Sequence, residues 1–318
     1  MFLLRNLSFI GVDIGASKIR VASGDESGIK GKLVEYTDKE HGSEGIPLQI
    51  IRMINELQDS PLAIGIGSIG PIDLVKGMIT NTPNYPFQNI PIVDPIRVEF
   101  DVDVKIVNDC AAAVVGERVF GAGVESENVF YVTLSTGLGG GAIVDDHLLI
   151  GKDGNAVEIG HFTIDSNSKI LCGCGSPGHW EAFSGGKNIP HFARTLIRKM
   201  KWRGSLLNDL LAGDLGNLTD KMIFDAAKQG DNVALQLVED IGRINAVGFA
   251  NIVNAFDPEI ITLGGSIALN NPDLVIMPIE HYIPEHVINR IPQIMITPLG
   301  EDVVLNGALA IAMSDRYI

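Results

Sequence analysis

The sequence has little of three features that would each assign it to a particular class of protein. Its 318 residues include three cysteines, Cys110, Cys172 and Cys174, too few for a disulfide framework and typical of a reducing compartment. No apolar run approaches the roughly 18 residues that a membrane-spanning helix needs. Basic residues are also scarce, because 24 Lys and Arg stand against 39 Asp and Glu and give a net charge of −15.

The acidic charge balance argues against two kinds of partner. A uniformly acidic protein is repelled by phosphate backbones and anionic lipids, so we expect neither a nucleic acid nor a membrane as partner. The first residues do not read as a secretion signal, because Arg5 and Asn6 interrupt the apolar start and Asp13 precedes any long apolar segment. The sequence therefore predicts a cytoplasmic protein, and its length is enough for two domains.

The strongest chemical signal lies at residues 129–161. Apolar runs at 129–134 and 142–144 flank the glycine-rich segment 135–141, a pattern that predicts a β-hairpin. Glycine permits positive φ, so successive backbone N–H groups can converge on an anion, and Ser135 and Thr136 add hydroxyls. The segment predicts a phosphate site or, alternatively, only a hairpin with a glycine-rich turn.

Residues 9–22 repeat the pattern of a strand, a turn of small residues and a second strand. Asp13 lies in the first strand and Ser17 and Lys18 in the turn. Lys18 could face a phosphate and Asp13 could hold Mg²⁺ through water, or Asp13 could simply lie at the edge of a hairpin. The repetition at 9–22 and 129–144 suggests two related lobes.

Asn108 and Asp109 stand between a predicted strand at 104–107 and a predicted helix at 110–120. Asn or Asp before an Ala-rich run is what a helix N-cap requires. A carboxylate at the carboxyl end of a strand is equally where α/β folds place catalytic groups. The pattern alone leaves both interpretations open.

Two cysteines and two histidines have the composition of a metal site. Cys172, Cys174 and His179 lie in a Gly/Pro-rich segment, and His161 supplies a fourth nitrogen or sulfur ligand. Such a closed set of four is how proteins hold structural zinc. The alternative is a loop with two unliganded cysteines.

Two further glycine turns differ in their context. Gly65, Gly67 and Gly70 match G-x-G-x-x-G, but a loop rich in proline and asparagine follows instead of a helix, which argues against a dinucleotide fold. That loop, which contains Asn84, suits a polar small molecule. Gly264, Gly265 and Ser266 follow a predicted strand at 260–263 and open a helix, which suits a nucleotide. Helical spacing predicts further helices at 45–58, 182–203, 232–256 and 306–313.

Taken in this order, the motifs resemble the ROK family of sugar kinases, within the actin-like ATPase superfold. Asp13 to Lys18 stands where the family has D-x-G-G-T-K, and Leu134 to Gly141 where it has L-G-T-G-I-G-G-G. Asn108-Asp109 is similar to its catalytic N-D, residues 158–161 to E-x-G-H, and residues 172–181 to C-x-C-G-x-x-G-C-x-E. The departures are Ala16, Ser17, Ser135 and His179, and alanine at 16 is expected to alter the first turn because it tolerates positive φ poorly.

The resemblance implies a two-lobed α/β fold of the actin-like ATPase (ribonuclease H-like) class, with mixed sheets flanked by helices and a ligand cleft between the lobes. The small lobe would comprise 1–108 with about 306–318, and the large lobe 109–305. The resemblance also implies ATP-dependent phosphorylation of the 6-hydroxyl of a hexose, by default glucose, with Asp109 as general base. A homodimer or higher homo-oligomer is expected on the same ground.

The resemblance also assigns the ligands. The sugar would be held by Gly70, Asn84, Asn108, Asp109, Glu158, His161 and Glu181. ATP would be held by Asp13, Gly15, Ala16, Ser17, Lys18, Ser135, Thr136, Gly137, Gly139, Gly264, Gly265 and Ser266, with Asp13 positioning Mg²⁺. Structural zinc would be held by His161, Cys172, Cys174 and His179, and would affect sugar affinity without touching phosphate.

Two rival functions follow from the same resemblance. The acceptor could be fructose, mannose or N-acetylmannosamine, because such kinases share most sugar contacts. The protein could instead be a sugar-responsive repressor or sensor, since the family includes repressors with a preceding helix-turn-helix. The first phosphate strand begins at Phe9, which leaves no room for that motif, and Asp13, Asn108 and Asp109 favour catalysis over a sensor.

Overall fold

The computed structural model describes residues 7–57, 60–82 and 85–317. Its strands are β1 (Leu7–Ile14), β2 (Lys18–Asp25), β3 (Gly28–Tyr36), β4 (Ser60–Ser68), β5 (Ile72–Asp73), β6 (Met78–Ile79), β7 (Ile90–Pro91), β8 (Asp103–Asn108), β9 (Val129–Leu134), β10 (Leu138–Val144), β11 (His147–Leu148), β12 (Ile260–Gly264) and β13 (Gln293–Ile296). Its α-helices are α1 (Gly45–Glu56), α2 (Val93–Phe100), α3 (Asp109–Phe120), α4 (Glu181–Ser184), α5 (Ile189–Ile197), α6 (Leu206–Leu210), α7 (Asp220–Lys228), α8 (Asn232–Phe256), α9 (Gly265–Asn270), α10 (Pro272–Tyr282) and α11 (Val303–Met313).

Two five-stranded sheets share one strand order. The first runs β3-β2-β1-β4-β8 and the second β11-β10-β9-β12-β13, so in each the third, second, first, fourth and fifth strands lie side by side. In the first sheet β1 pairs antiparallel with β2 and parallel with β4, and β4 pairs parallel with β8. The internal repetition predicted from 9–22 and 129–144 is therefore confirmed in the topology.

The glycines of β4 serve close packing. The helix α11 packs on β1, β4 and α3. A Cβ on Gly65 would lie 2.0 Å from the carbonyl oxygen of Ala308, and one on Gly67 would lie 2.7 Å from Cγ1 of Val304. The Gly65-x-Gly67 pattern therefore reflects the approach of a helix, and the predicted absence of a dinucleotide turn is confirmed because a loop and the short strands β5–β7 follow β4.

The chain divides into two compact units. Unit 1 comprises Met1–Tyr131, Gly141–Val157 and Thr297–Ile318, and unit 2 comprises Val132–Gly140 and Glu158–Ile296. The lobe boundaries predicted from the sequence stay a prediction, and the two units are described separately below.

Each unit has its own apolar core. In unit 1 the β1 and β4 side chains of Ile10, Val12 and Ile66 are fully buried. In unit 2 the indole of Trp180 packs edge-on against Phe249 with ring centroids 5.6 Å apart, and its N–H donates to Asn245 Oδ1 at 2.9 Å. Within the residues described, no helix combines the length and apolar character that crossing a membrane requires.

The predicted helix at 182–203 is wrong in one respect. The structure has two short helices, α4 and α5, with Gly185 and Gly186 between them. The N–H of Gly186 donates to the carbonyl oxygen of Ser135 at 2.8 Å instead of to a helical neighbour. A tertiary contact therefore overrides the helical spacing. The long helix at 232–256 has the predicted bounds, and α11 begins three residues before the predicted start at 306.

Candidate active site

In unit 1, parallel pairing brings three groups of predicted site residues to one sheet edge. Asp13 on β1 is in register with Gly67 on β4, and Ser68 is in register with Asn108 on β8. All three strands end here, so Asp13, the loop that contains Gly70, and the pair Asn108-Asp109 leave the sheet on the same side. The carboxyl ends of parallel strands are the usual place for ligands in α/β sheets.

Asn108 forms the helix cap that one interpretation of the sequence predicts, and the catalytic interpretation of Asp109 stays a prediction. Oδ1 of Asn108 accepts the N–H of Cys110 at 2.9 Å and so caps α3. The opposite side of this amide faces Gly70, where an added Cβ would lie 3.5 Å from Nδ2. Asp109 is the first residue of α3, is half-buried, and accepts the same N–H at 2.8 Å. A helix N-terminus favours negative charge, so a position in the first turn of α3 is compatible with the catalytic role predicted for Asp109.

Asp13 is a buried carboxylate with a cationic partner. Nη1 of Arg20 lies 2.7 Å from its Oδ2, and Arg20 also lies 3.7 Å from Glu301. Burial raises the pKa of Asp13, and the Arg20 guanidinium opposes that shift. An oxygen ligand at the sheet edge fits the preference of Mg²⁺, so this residue meets the chemical requirement predicted for it.

The first turn (Gly15, Ala16 and Ser17) is held by its carbonyl groups. The carbonyl oxygen of Gly15 accepts the Tyr85 hydroxyl at 2.7 Å and the Thr37 hydroxyl at 2.9 Å, while the N–H of Thr37 donates to Ser17 at 3.0 Å. Burial raises the pKa of Tyr85, so its hydroxyl remains a donor. Ser17 and Lys18 are exposed, as a phosphate site requires.

We expected the glycine-rich turns at 15–17 and 135–141 to depend on positive φ, and this expectation is wrong. Ala16 is not among the described residues with positive φ, so alanine causes no strain in the first turn. Gly137 and Gly141 also have no positive φ. They are needed for space, since a Cβ would lie 2.7 Å from Oε2 of Glu181 and 2.1 Å from the carbonyl oxygen of Cys110, respectively.

In unit 2, the second turn (Ser135, Thr136 and Gly137) lies beside the glycine turn that opens α9. Oγ of Ser135 lies 3.3 Å from Oγ of Ser266. Gly265 has φ +83° and approaches β9 so closely that a Cβ would lie 2.5 Å from the carbonyl oxygen of Leu134. The structure thus brings together the predicted nucleotide residues of unit 2, and Thr136 and Ser266 are exposed. Gly139 lies on β10, directly after this turn.

The Cys/His cluster (His161, Cys172, Cys174 and His179) brings together four side chains of the types that bind zinc. Its four ligand atoms lie within 4.8 Å of one another, with Cys174 Sγ 3.3 Å from His179 Nδ1 and Cys172 Sγ 3.8 Å from His161 Nδ1. Ligands around tetrahedral zinc are about 3.3–3.8 Å apart, as the bond lengths require. The residues therefore fit zinc, and His179 fits in place of the third cysteine of the family pattern.

Two backbone β-bridges shape the segment that carries most of these ligands. Isolated β-bridges join Thr163 to His179 and Leu171 to Pro177, which closes the segment into a loop. Burial raises the pKa of Cys172 to about 12, whereas a backbone N–H of Ser176 lowers the pKa of Cys174. Thiol ligands must lose their protons to bind a metal, so binding here releases protons.

The two ring nitrogens of His161 face different neighbours. Its Nδ1 faces Cys172, while its Nε2 lies 3.9 Å from the carboxylate of Glu158. One ring nitrogen can therefore face the cluster while the other faces the predicted sugar residues. Partial desolvation raises the pKa of Glu158, His161 opposes the shift and Glu181 adds to it.

Sequence reasoning missed several residues that hold the site. Arg20 had a weak signal, because a hairpin that pairs Ile14 with Ile19 places Arg20 opposite Asp13. Tyr85 and Thr37 had none, since their contacts with Gly15 span 70 and 22 residues of chain. Asn84, a predicted sugar contact, lies outside the described residues.

Comparison with known proteins agrees with these features. Residues 9–314 match the model of the ROK family. A glucokinase from Pyrobaculum calidifontis is 39% identical over 304 residues, which cover 96% of this chain and 94% of that protein. The crystal structure of a ROK family glucokinase from Streptomyces griseus, in complex with glucose and AMPPNP, superposes with a TM-score of 0.79 at 31% identity, covering 96% and 99% of the two chains.

A ROK hexokinase from Thermus thermophilus is similarly close. Its crystal structure gives a TM-score of 0.80 at 29% identity, covering 96% of this chain and 98% of that one. These similarities confirm the predicted α/β fold of the actin-like ATPase class. The family model spans nearly the whole chain and the first relative covers almost all of it, so this protein belongs to the ROK family.

Proposed function

We propose that this protein is an ATP-dependent glucose kinase that transfers the γ-phosphoryl group to the 6-hydroxyl of the sugar. The observation that carries the proposal is Asn108-Asp109 at the edge where β1, β4 and β8 end, with Asp13 on the same edge. The similarity to glucokinases over almost the whole chain supports glucose as the acceptor. Kinases for other sugars and a non-catalytic sensor are not favoured.

Asp109 is the general base of the proposed reaction. Its carboxylate accepts the proton of the 6-hydroxyl as the oxygen attacks the γ-phosphorus in line. A carboxylate is a weak base toward an alcohol, so the proton moves late, when the attacking oxygen has lost electron density to phosphorus. Asp109 lies in the first turn of α3, where the helix N-terminus favours negative charge.

Two turns hold the phosphates of ATP in this proposal. The exposed hydroxyls of Ser17 and Thr136 and the ammonium group of Lys18 contact phosphate oxygens, and Gly264, Gly265 and Ser266 lie against the nucleoside. Asp13 would position Mg²⁺, which would supply positive charge to offset the charge on the phosphates. ATP and a divalent metal fit the AMPPNP complex of the similar glucokinase.

The sugar is held by carboxylates, amides and an imidazole. Asn108, Glu158, His161 and Glu181 each offer groups that engage adjacent hydroxyls, and Gly70 leaves space beside the Asn108 amide. Asn84 is proposed as a further contact. Zinc, bound by the Cys/His cluster, would fix the orientation of His161 and serve as a structural ion.

We further propose a cytoplasmic homodimer. None of Cys110, Cys172 and Cys174 forms a disulfide, which suits a reducing compartment. The dimer rests on the resemblance alone, and light scattering of the purified protein tests it.

A coupled assay of ADP release tests the function, with ATP and glucose, mannose, fructose and N-acetylmannosamine in turn. We expect glucose to give the highest kcat/KM. A higher value for another hexose would replace glucose as the acceptor, and no release with any sugar would overturn the kinase proposal in favour of a sensor.

A further inference from the structure

Glu181, the first residue of α4, uses its two carboxylate oxygens in different directions. Oε2 accepts the backbone N–H of Leu138, the residue that follows the second turn, at 3.0 Å. Oε1 lies 3.4 Å from Sγ of Cys172, a member of the Cys/His cluster, and accepts its S–H while the thiol is protonated. One side chain therefore contacts both the end of the second turn and the cluster.

Close packing fixes this carboxylate. A Cβ on Gly137 would lie 2.7 Å from Oε2 of Glu181, and a Cβ on Gly185 would lie 2.8 Å from its Cγ. Glycine at both positions lets the side chain lie flat between the second turn and the loop after α4. Because the Glu181 side chain is held in place, it can fix the direction of the Leu138 N–H that it accepts.

Gly186 and Lys187, which follow α4, also hold the second turn through backbone hydrogen bonds. The N–H of Gly186 donates to the carbonyl oxygen of Ser135 at 2.8 Å, and the N–H of Lys187 donates to that of Thr136 at 3.0 Å. With the bond from Leu138 to Glu181, three hydrogen bonds join residues 181–187 to the second turn and its next residue. These bonds draw two carbonyl groups toward residues 186–187 and so help to set the direction of the turn's N–H groups.

We propose that Glu181 is a positioning residue for nucleotide binding, in addition to its proposed contact with the sugar. By accepting the N–H of Leu138 it holds the second turn in the shape that receives phosphate oxygens. The inference rests on the proposed function, because it concerns the ATP site. It differs from a role in sugar binding alone, which would leave nucleotide affinity in the absence of sugar unchanged.

Calorimetric titration with Mg·AMPPNP in the absence of sugar tests the proposal. E181A leaves the Leu138 N–H without its acceptor, and we expect binding about tenfold weaker than in the wild type. E181Q keeps an oxygen that can accept this N–H, so its affinity should stay within about threefold of the wild type.

E158A is the matched control. Glu158 is also a carboxylate proposed to contact sugar, and its side chain lies 3.9 Å from His161 Nε2. We expect E158A to bind Mg·AMPPNP as the wild type does while its affinity for glucose falls. Should E181A not fold, E181D replaces it, since a carboxylate one methylene shorter cannot reach Leu138 without movement of α4.

The outcomes separate the inference from the proposed function. Wild-type nucleotide affinity in E181A, or in E181D if it is used, would overturn the positioning role, and so would an equal loss in E158A. A wild-type protein that binds no Mg·AMPPNP would instead overturn the proposed function. Hydrogen exchange provides a second readout, because the amide of Leu138 should exchange faster in E181A only if Glu181 is its acceptor.

Discussion

The two hairpins have the same local plan and are held by different means. In each, a buried strand leads through a three-residue turn into an antiparallel strand, and each sheet has the same strand order. The first turn is held by the side chains of Thr37 and Tyr85 and by the backbone N–H of Thr37. The second is held by the backbone of residues 186–187 and by Glu181, next to the Cys/His cluster.

The hairpins also differ in charge. Asp13 is the penultimate residue of β1, whereas Thr133 is the penultimate residue of β9. The first hairpin thus carries a buried carboxylate paired with Arg20, and the second carries a neutral hydroxyl at the corresponding position. Two similar turns can therefore receive an anion in two ways. The first places a carboxylate, proposed to bind a metal, beside the anion, and the second offers hydroxyl and N–H groups alone.

The largest expected effect concerns the base at the edge of the first sheet. D109N removes the proton acceptor but keeps an oxygen that can accept the N–H of Cys110, so α3 should still begin at this residue. We expect kcat to fall by about 10²–10⁴-fold with glucose affinity retained, as measured by turnover and calorimetry. Near-normal turnover in this variant would remove Asp109 as the base.

The charge difference between the hairpins predicts the next effect. D13N should lower activity by about 10- to 100-fold and raise the Mg²⁺ concentration needed for half-maximal rate, because the neutral amide is a weaker metal ligand and weakens the charged pair with Arg20. T133V, at the corresponding position of β9, should change activity by no more than about threefold. Equal effects of D13N and T133V on activity would show that the charge difference between the hairpins has no functional role.

The smallest expected effect concerns zinc beside the second turn. Elemental analysis should find about one equivalent per chain, and a strong chelator should lower Tm by about 5 °C or more. H179A should lose most of the metal, since its imidazole is one of the four clustered ligands. Less than a tenth of an equivalent in carefully purified wild-type protein would contradict the zinc proposal.

Local sequence patterns predicted the hairpins, the helix α8 and the strand-to-helix junction at Asn108-Asp109, because neighbouring residues determine these features. Alternating apolar residues identified both hairpins, and the helical spacing of 232–256 gave the bounds of α8. The pair Asn108-Asp109 was located because a strand and a helix meet there. Composition identified the Cys/His cluster, whose four ligand atoms the structure brings within 4.8 Å.

Features decided by distant contacts could not be predicted in the same way. The helix expected at 182–203 breaks because Gly186 donates to a carbonyl 51 residues earlier in the chain, that of Ser135. The sequence motif explained Gly65 and positive φ explained Gly137. In the structure each glycine instead leaves space for a group that is remote in sequence, Ala308 for Gly65 and Glu181 for Gly137. The contact of Tyr85 with Gly15 has no sequence signal, because nothing local requires a hydroxyl there.

The central claim is that both turns bind the phosphates of one nucleotide, and hydrogen exchange tests it most directly. Peptides that cover residues 14–18 and 134–138 would be followed in the wild-type protein with and without Mg·AMPPNP. We predict slower exchange in both peptides when the nucleotide is bound, because N–H groups of both turns donate to phosphate oxygens. Protection in only one of the two peptides, or in neither, at a nucleotide concentration that saturates binding, would contradict the account.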